Sequence, residues 1–161
     1  MDYLQSAQKS LFRFERLQVY DMPEEQTAFQ NFCQTGVLKI TGSDKEWFAF
    51  LQEKHGQGVV TQRVRLIEYP LTDYTRFELA FHRVALQHGD DIRFVTKELL
   101  NGLSLPVKDF WLIDDKIILI QNYDTAGRWL GFEVGEQDMA VYQQGKNVLL
   151  EKAQPLDLLR E

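Results

Sequence analysis

Phe110-Trp111-Leu112-Ile113-Asp114-Asp115-Lys116-Ile117-Ile118-Leu119-Ile120-Gln121-Asn122-Tyr123 reads as two β-strands around a tight turn. The apolar runs are rich in β-branched and aromatic residues, and the two carboxylates between them are turn formers. Asp124-Thr125-Ala126-Gly127 makes a second turn before a third run, Trp129 to Val134. Strands in succession with short connections form an antiparallel meander. Residues 111–113 and 117–120 are apolar at every position, so both faces of these strands are expected to be covered.

C-terminal to the meander, Met139, Tyr142, Lys146, Leu149, Leu150 and Ala153 recur at helical spacing and predict a helix over 136–153, stopped by Pro155. The Lys146 stem is expected to pack while its amine reaches water. The tail 155–161 carries Leu156, Leu158 and Leu159 and is expected to dock on the domain or on a partner.

On the N-terminal side, Thr72 is a plausible cap for a helix over 72–88 whose Tyr74, Phe77, Phe81, Val84 and Ala85 share a face. Val59 to Tyr69 reads as a strand, with Val64 and Leu66 on one face and Arg63, Arg65 and Ile67 on the other. A short strand is expected from Asp91. Two further helices are expected near 43–55, opened by a Ser43/Glu46 capping box, and near 23–35, capped by Asp21 and ended by Gly36. Cys33 falls on the apolar stripe of the latter and is expected to be buried. Leu11 to Val19 fits either an edge strand or a short helix. The expected fold is therefore α+β in one domain, 1–161, with a central, mainly antiparallel sheet and a C-terminal meander at 110–134 covered by helices.

The 161 residues suffice for one core, and 44% hydrophobic with 26% charged residues are ordinary globular proportions. A net charge of -6 argues against direct nucleic-acid binding, because the average field repels phosphate. No apolar run is long enough to span a bilayer, and Met1-Asp2-Tyr3-Leu4-Gln5 lacks a leader pattern, so a cytoplasmic location without membrane contact is expected. One cysteine excludes an intrachain disulfide and multi-thiolate clusters.

Phosphate-binding loops, dinucleotide fingerprints, zinc-protease and nucleophile-elbow motifs are all missing. No residue is assigned a catalytic role, and neither a metal nor another cofactor is expected. Glu78 and His82 stand at i, i+4 and are better read as a helix-surface pair than as ligands. Glu78 flanks an apolar stripe, so a cation is expected beside it, and Arg63 or Arg65 on the preceding strand is the nearest candidate. Such a clamp holds the fold together, or, if it faces a cleft, holds an anionic ligand. Asp114 and Asp115, with Asp109 or Asp124, could collect a divalent ion, but a solvated turn is the better reading. Trp111, Tyr123, Trp129 and Phe132 offer either a stacking surface or cross-strand packing.

Three stretches carry a family resemblance: Phe14 to Glu25 (FERLQVYDMPEE), Arg63-Val64-Arg65 leading to Pro70 through Leu79 (PLTDYTRFEL), and Asp109 through Asp115 (DFWLIDD). The chain resembles a bacterial domain-of-unknown-function family common in actinobacteria and often encoded near helix-turn-helix regulators in toxin-antitoxin-like neighbourhoods. The resemblance implies a helix-turn-helix regulator as partner and singles out Tyr74, Arg76, Glu78, Trp111 and Asp114. The 96–107 connection departs from the family pattern. With Arg63 and Arg65, these are the candidate site residues. The expected function is a non-enzymatic regulatory or interaction module that binds a partner protein and senses a small anionic ligand. The alternative is a small hydrolase or nuclease-like toxin in which Glu78 and Asp114 serve as acid and base and Arg63 or Arg76 steadies an anion.

Overall fold

Ser10-Leu11-Phe12-Arg13-Phe14-Glu15 forms the central strand of the molecule. The structure, a computed structural model, describes residues 2–136 and 138–160. Its elements are helix α1 (Asp2–Gln5), strand β1 (Ser10–Glu15), helices α2 (Gln26–Thr35) and α3 (Gly42–Gly56), β2 (Val60–Ile67), α4 (Asp73–Leu86) and β3 (Asp91–Thr96). They continue with β4 (Phe110–Ile113), β5 (Ile117–Tyr123), β6 (Trp129–Val134), α5 (Met139–Lys152) and β7 (Gln154–Pro155). Among the described residues the strands form one sheet in the order β6-β5-β4-β1-β2-β3-β7. β1, β2 and β3 are parallel neighbours, and the other four pairings are antiparallel. This is the expected α+β fold with its meander at β4-β5-β6.

Strand alternation sorts the two faces. Phe12, Phe14, Val64, Leu66, Phe110, Leu112 and Ile118 meet Tyr142 and Leu149 of α5 on one side. Leu11, Ile67, Ile113 and Leu119 meet Phe50 and Leu51 of α3 and Leu79 and Ala85 of α4 on the other. Phe12 and Phe14 are fully buried, each stabilising the fold by roughly 2–3 kcal/mol. α2 packs across the end of α4, where Ala28 meets Tyr20, Tyr74 and Phe77. No helix among the described residues is long and apolar enough to cross a membrane.

Several local expectations are corrected. Leu11 to Glu15 is neither an edge strand nor a helix: it pairs with β2 on one side and β4 on the other. Arg13 and Glu15, which look like a solvent-facing pattern, are buried because they neutralise each other and their neighbours. Within the meander, β4 and β5 are covered on both faces, but β6 is the exposed outer strand. α2 starts at Gln26 after a turn, and Asp21 is instead bridged to Arg128. The capping box of α3 is Thr41/Asp44, with the Thr41 N–H donating to Asp44 Oδ2 at 2.6 Å. Cys33 is exposed, since Ala28, Phe29 and Phe32 already cover the contact face of α2.

Other readings are met. Thr72 caps α4, accepting from the Thr75 N–H at 2.9 Å. The Lys146 stem packs as expected, but its amine is engaged by the protein and not by water: Nζ donates to Asp115 Oδ1 at 2.9 Å. In the tail, Leu156 and Leu159 join the core.

Candidate functional site

Arg13, Glu15, Arg63 and Arg65 all project from the sheet toward α4, because residues 13 and 15 of β1 stand beside 63 and 65 of β2 in parallel register. The strand order reverses at β1, with β2 on one side and β4 on the other. In open sheets such reversals leave a crevice at the strand ends. Here the charged side chains replace the apolar layer between sheet and helices, and an aromatic-walled cleft opens above them.

Glu15 is the centre of the network. Its Oε1 lies 2.6 Å from Arg63 Nη1 and 3.4 Å from Arg13 Nε. Arg13 also approaches Asp109 at 3.4 Å and donates to the Tyr123 hydroxyl at 3.1 Å. Asp109, which accepts the Arg16 N–H at 3.0 Å and the Tyr20 hydroxyl at 2.5 Å, closes that end. Arg63 Nε stands 3.7 Å from Asp90. Arg65, with no exposed surface, donates to Glu78 Oε2 at 2.6 Å, and its guanidinium lies 5.1 Å from the centre of the Tyr20 ring. Arg13 and Arg63 stack over Trp111 at 5.4 and 5.8 Å, and Arg63 also lies over Trp47. Such cation–π contacts help offset the desolvation of buried guanidiniums.

The network sets the protonation states. Burial alone would raise the Glu15 carboxyl, but Arg63 and Arg13 reverse this and hold it well below the usual carboxylate range. Burial raises Glu78 to about 8, since Arg65 only partly compensates and the Glu15 charge opposes a second anion. Burial lowers His82 to about 3 against the pull of Glu15, so the imidazole is neutral at physiological pH. Glu25 is also raised by burial, with Glu24 and Asp44 adding to the shift and the hydrogen bond from Tyr74 opposing it.

The cleft has a volume of about 330 Å³. Trp47, Tyr74, Phe77, Phe81, Trp111 and Tyr123 wall it, and Arg13, Glu15, Arg63, Glu78 and His82 form its floor. Glu24, Glu25 and Asp44 contribute carboxyls at its α2 and α3 sides. Tyr74 donates to Glu25 Oε2 at 2.6 Å and so ties α4 to the start of α2.

Of the residues singled out from the sequence, Arg63, Tyr74, Glu78 and Trp111 line this cleft, and Arg65 lies directly beneath it, paired with Glu78 as expected. Arg76 does not reach it: its guanidinium is exposed and bound to Leu71 O and Asp73. Asp114 lies at the far hairpin, where its carboxylate accepts the N–H groups of Gln8, Lys9 and Ser10 at 3.0, 2.7 and 2.8 Å. Asp109, Asp114, Asp115 and Asp124 serve separate structural contacts and form no common cation site. His82 is not on the helix surface but only 2% exposed and faces the sheet. Trp111 and Tyr123 enter the cleft, whereas Trp129 and Phe132 are exposed on β6.

Arg13, Glu15, Tyr20, Glu25, His82 and Asp109 were not legible as site residues, because each acquires its role through a contact distant in sequence. A usable signal for Arg13 and Glu15 was present: both share strand parity with Leu11 and would face whatever Arg63 and Arg65 face. Glu15, Glu78 and His82 offer donor atoms within 4.8 Å of one another. Both carboxylates are already held by arginines, however, which competes with metal binding.

The fold is similar to that of Nuc from Salmonella typhimurium, a phospholipase D family member, with a TM-score of 0.55 at 10% identity over 96% of this chain and 86% of that one. At that identity the likeness concerns the fold alone. Comparison with curated proteins finds no match. A family model matches residues 1–158, and the chain belongs to that family, described as a domain of unknown function (DUF6879).

Proposed function

We propose that the protein is a non-enzymatic sensing module that binds a small molecule in the cleft between α2, α3, α4 and the sheet, and passes its occupancy to a partner protein. The observation that carries this reading is the opening of a buried charge network into an aromatic-walled cavity of small-ligand size. A clamp serving stability alone needs no cavity, and apolar residues in its place would usually hold the layer as well. In the same reading the protein acts in the cytoplasm of an actinobacterium, with a helix-turn-helix regulator encoded beside it as the partner.

Trp47 and Trp111, two of the chain's three tryptophans, line the cleft, so their emission reports on occupancy. Titration with a metabolite library is expected to yield a saturable change in emission together with a raised melting temperature. A library of broad charge and shape that produces neither overturns the reading. Co-purification with the adjacent regulator, gained or lost with ligand, tests the second half.

A hydrolytic reading is favoured by one observation: the His82 ring stands 3.7 Å from the Glu15 carboxylate, the arrangement of a base beside an orienting group. With Asp114 and Arg76 outside the cleft, His82, Glu15 and Arg63 take the roles of base, orienting group and anion stabiliser. Turnover of a phosphodiester or ester substrate that disappears in His82→Gln would establish this reading over the first.

A further inference from the structure

The ligand's charge can be argued from the cleft itself. Glu15, Glu24, Glu25, Asp44 and Glu78 line it, against the guanidiniums of Arg13 and Arg63. Both cations are neutralised by buried carboxylates, although Arg13 Nη1 and Arg63 Nε keep no hydrogen-bond partner. Arg63 is bound by Glu15 and approached by Asp90, Arg13 lies against Glu15 and Asp109, and both rest on the Trp111 face. Adding the groups beneath the floor does not change the sign: Arg65 brings one positive charge, while Asp90 and Asp109 bring two negative ones. Even with Glu25 and Glu78 counted as neutral, carboxylates outnumber guanidiniums.

Two features turn this excess into a recognition site. Glu15 Oε2 has no hydrogen-bond partner, His82 Nε2 standing off at 3.7 Å, although the side chain is more than nine-tenths buried and Glu15 lines the cavity. It is an acceptor awaiting a donor, since a buried unmet acceptor is costly. The walls are aromatic faces, which attract cations through the ring quadrupole, as Arg13, Arg63 and Arg65 already demonstrate over Trp111, Trp47 and Tyr20.

We propose that the cleft selects an organic cation: a primary ammonium or amidinium group carried on a flat apolar body, with the head among Glu15, Glu24 and Glu25 and the body against Trp47, Tyr74 and Trp111. This rests on the cleft being a ligand site and reverses the anionic ligand expected from the sequence. A bare metal ion is the poorer match, because it would leave the aromatic walls and most of the cavity uncontacted.

The test is a fluorescence titration of the full chain, excited at tryptophan, with five probes of like shape. Two are cations, 2-phenylethylamine and benzamidine; two are anions, phenylacetate and benzoate; 2-phenylethanol is neutral. Zinc and manganese chlorides are run alone. Either cation is expected to saturate at least tenfold below the alcohol, with the anions weaker still. Glu25→Gln, which keeps an acceptor for Tyr74, and the exposed Glu24→Gln are each expected to weaken the cation about fivefold, the size of one partly exposed charge contact. Their melting temperatures in the absence of probe confirm folding.

Anions binding tighter than cations, or the alcohol matching the amine, overturns the cation assignment and leaves the cleft as a ligand site. A metal that alone changes emission while both cations are silent also overturns it and assigns the Glu15, Glu78 and His82 donors to a metal. Equal affinity in both variants overturns the role of the carboxylates. Silence with every probe, including the metals, removes the cation assignment, and silence across the metabolite library as well removes the ligand site.

Discussion

His82 and Glu78 should leave opposite marks on the pH dependence of stability. His82 is held near 3 in the fold against an ordinary value of 6.5, so between these values the unfolded chain binds the extra proton. Its contribution is fully present above pH 6.5 and is lost as pH falls. The slope is about 1.4 kcal/mol per pH unit. Glu78 is raised from 4.5 to about 8, so the folded chain holds the extra proton, and stability is lost as pH rises through that window. The two slopes cancel between pH 4.5 and 6.5. In His82→Gln, stability relative to the wild type should therefore fall by about 3 kcal/mol across those two units, and in Glu78→Gln it should rise by about as much. Glu25, Asp90 and Asp109, also raised by burial, act alike in all three proteins and drop out of the differences. Urea unfolding at fixed pH, read by tryptophan emission, measures each curve. Variants that differ from the wild type only by a constant offset would refute the assignment of neutral histidine and protonated glutamate.

Asp114 and Asp115 both take positive φ, 52° and 54°, in the 114–116 connection of the β4-β5 hairpin, and the Asp114 carboxylate ties down the chain at the start of β1. Asp114→Ala should cost about 2 kcal/mol in denaturant unfolding and Asp114→Asn less, since Asn tolerates the conformation and keeps one acceptor; equal losses would contradict this account. At Gly127, with φ +86°, an added Cβ would stand 2.6 Å from the Val19 carbonyl oxygen, so Gly127→Ala should destabilise by about 2 kcal/mol or more. A change within experimental error would show that the 19–20 segment yields. Cys33 is exposed and should react with a thiol reagent in the native protein as fast as in urea, and strong native protection would place it elsewhere.

Helices α3, α4 and α5 and the β4-β5 hairpin were readable because their apolar periods are local and uninterrupted. β1 was not, because Arg13 and Glu15 alternate with Phe12 and Phe14 like the wet side of an edge strand, and only partners some 50 and 100 residues away make their burial tolerable. The Arg65–Glu78 pair could be anticipated because β2 and α4 are joined by a short connection. Arg76 and Asp114 shared the same motifs but not the same geometry: one faces solvent beside Asp73, and the other is a backbone anchor. Sequence proximity located half the site, and strand register supplied the rest.

The position of β1 also bears on how the chain folds. β1 is synthesised before both of its neighbours and waits for β2 and then for β4, which ends at Ile113. Until then one of its edges is open, and pairings of such long range are slow to close. Arg13 and Glu15 keep that waiting segment hydrated and charged, so the side chains that later anchor the cleft first serve as guards against premature edge-to-edge association.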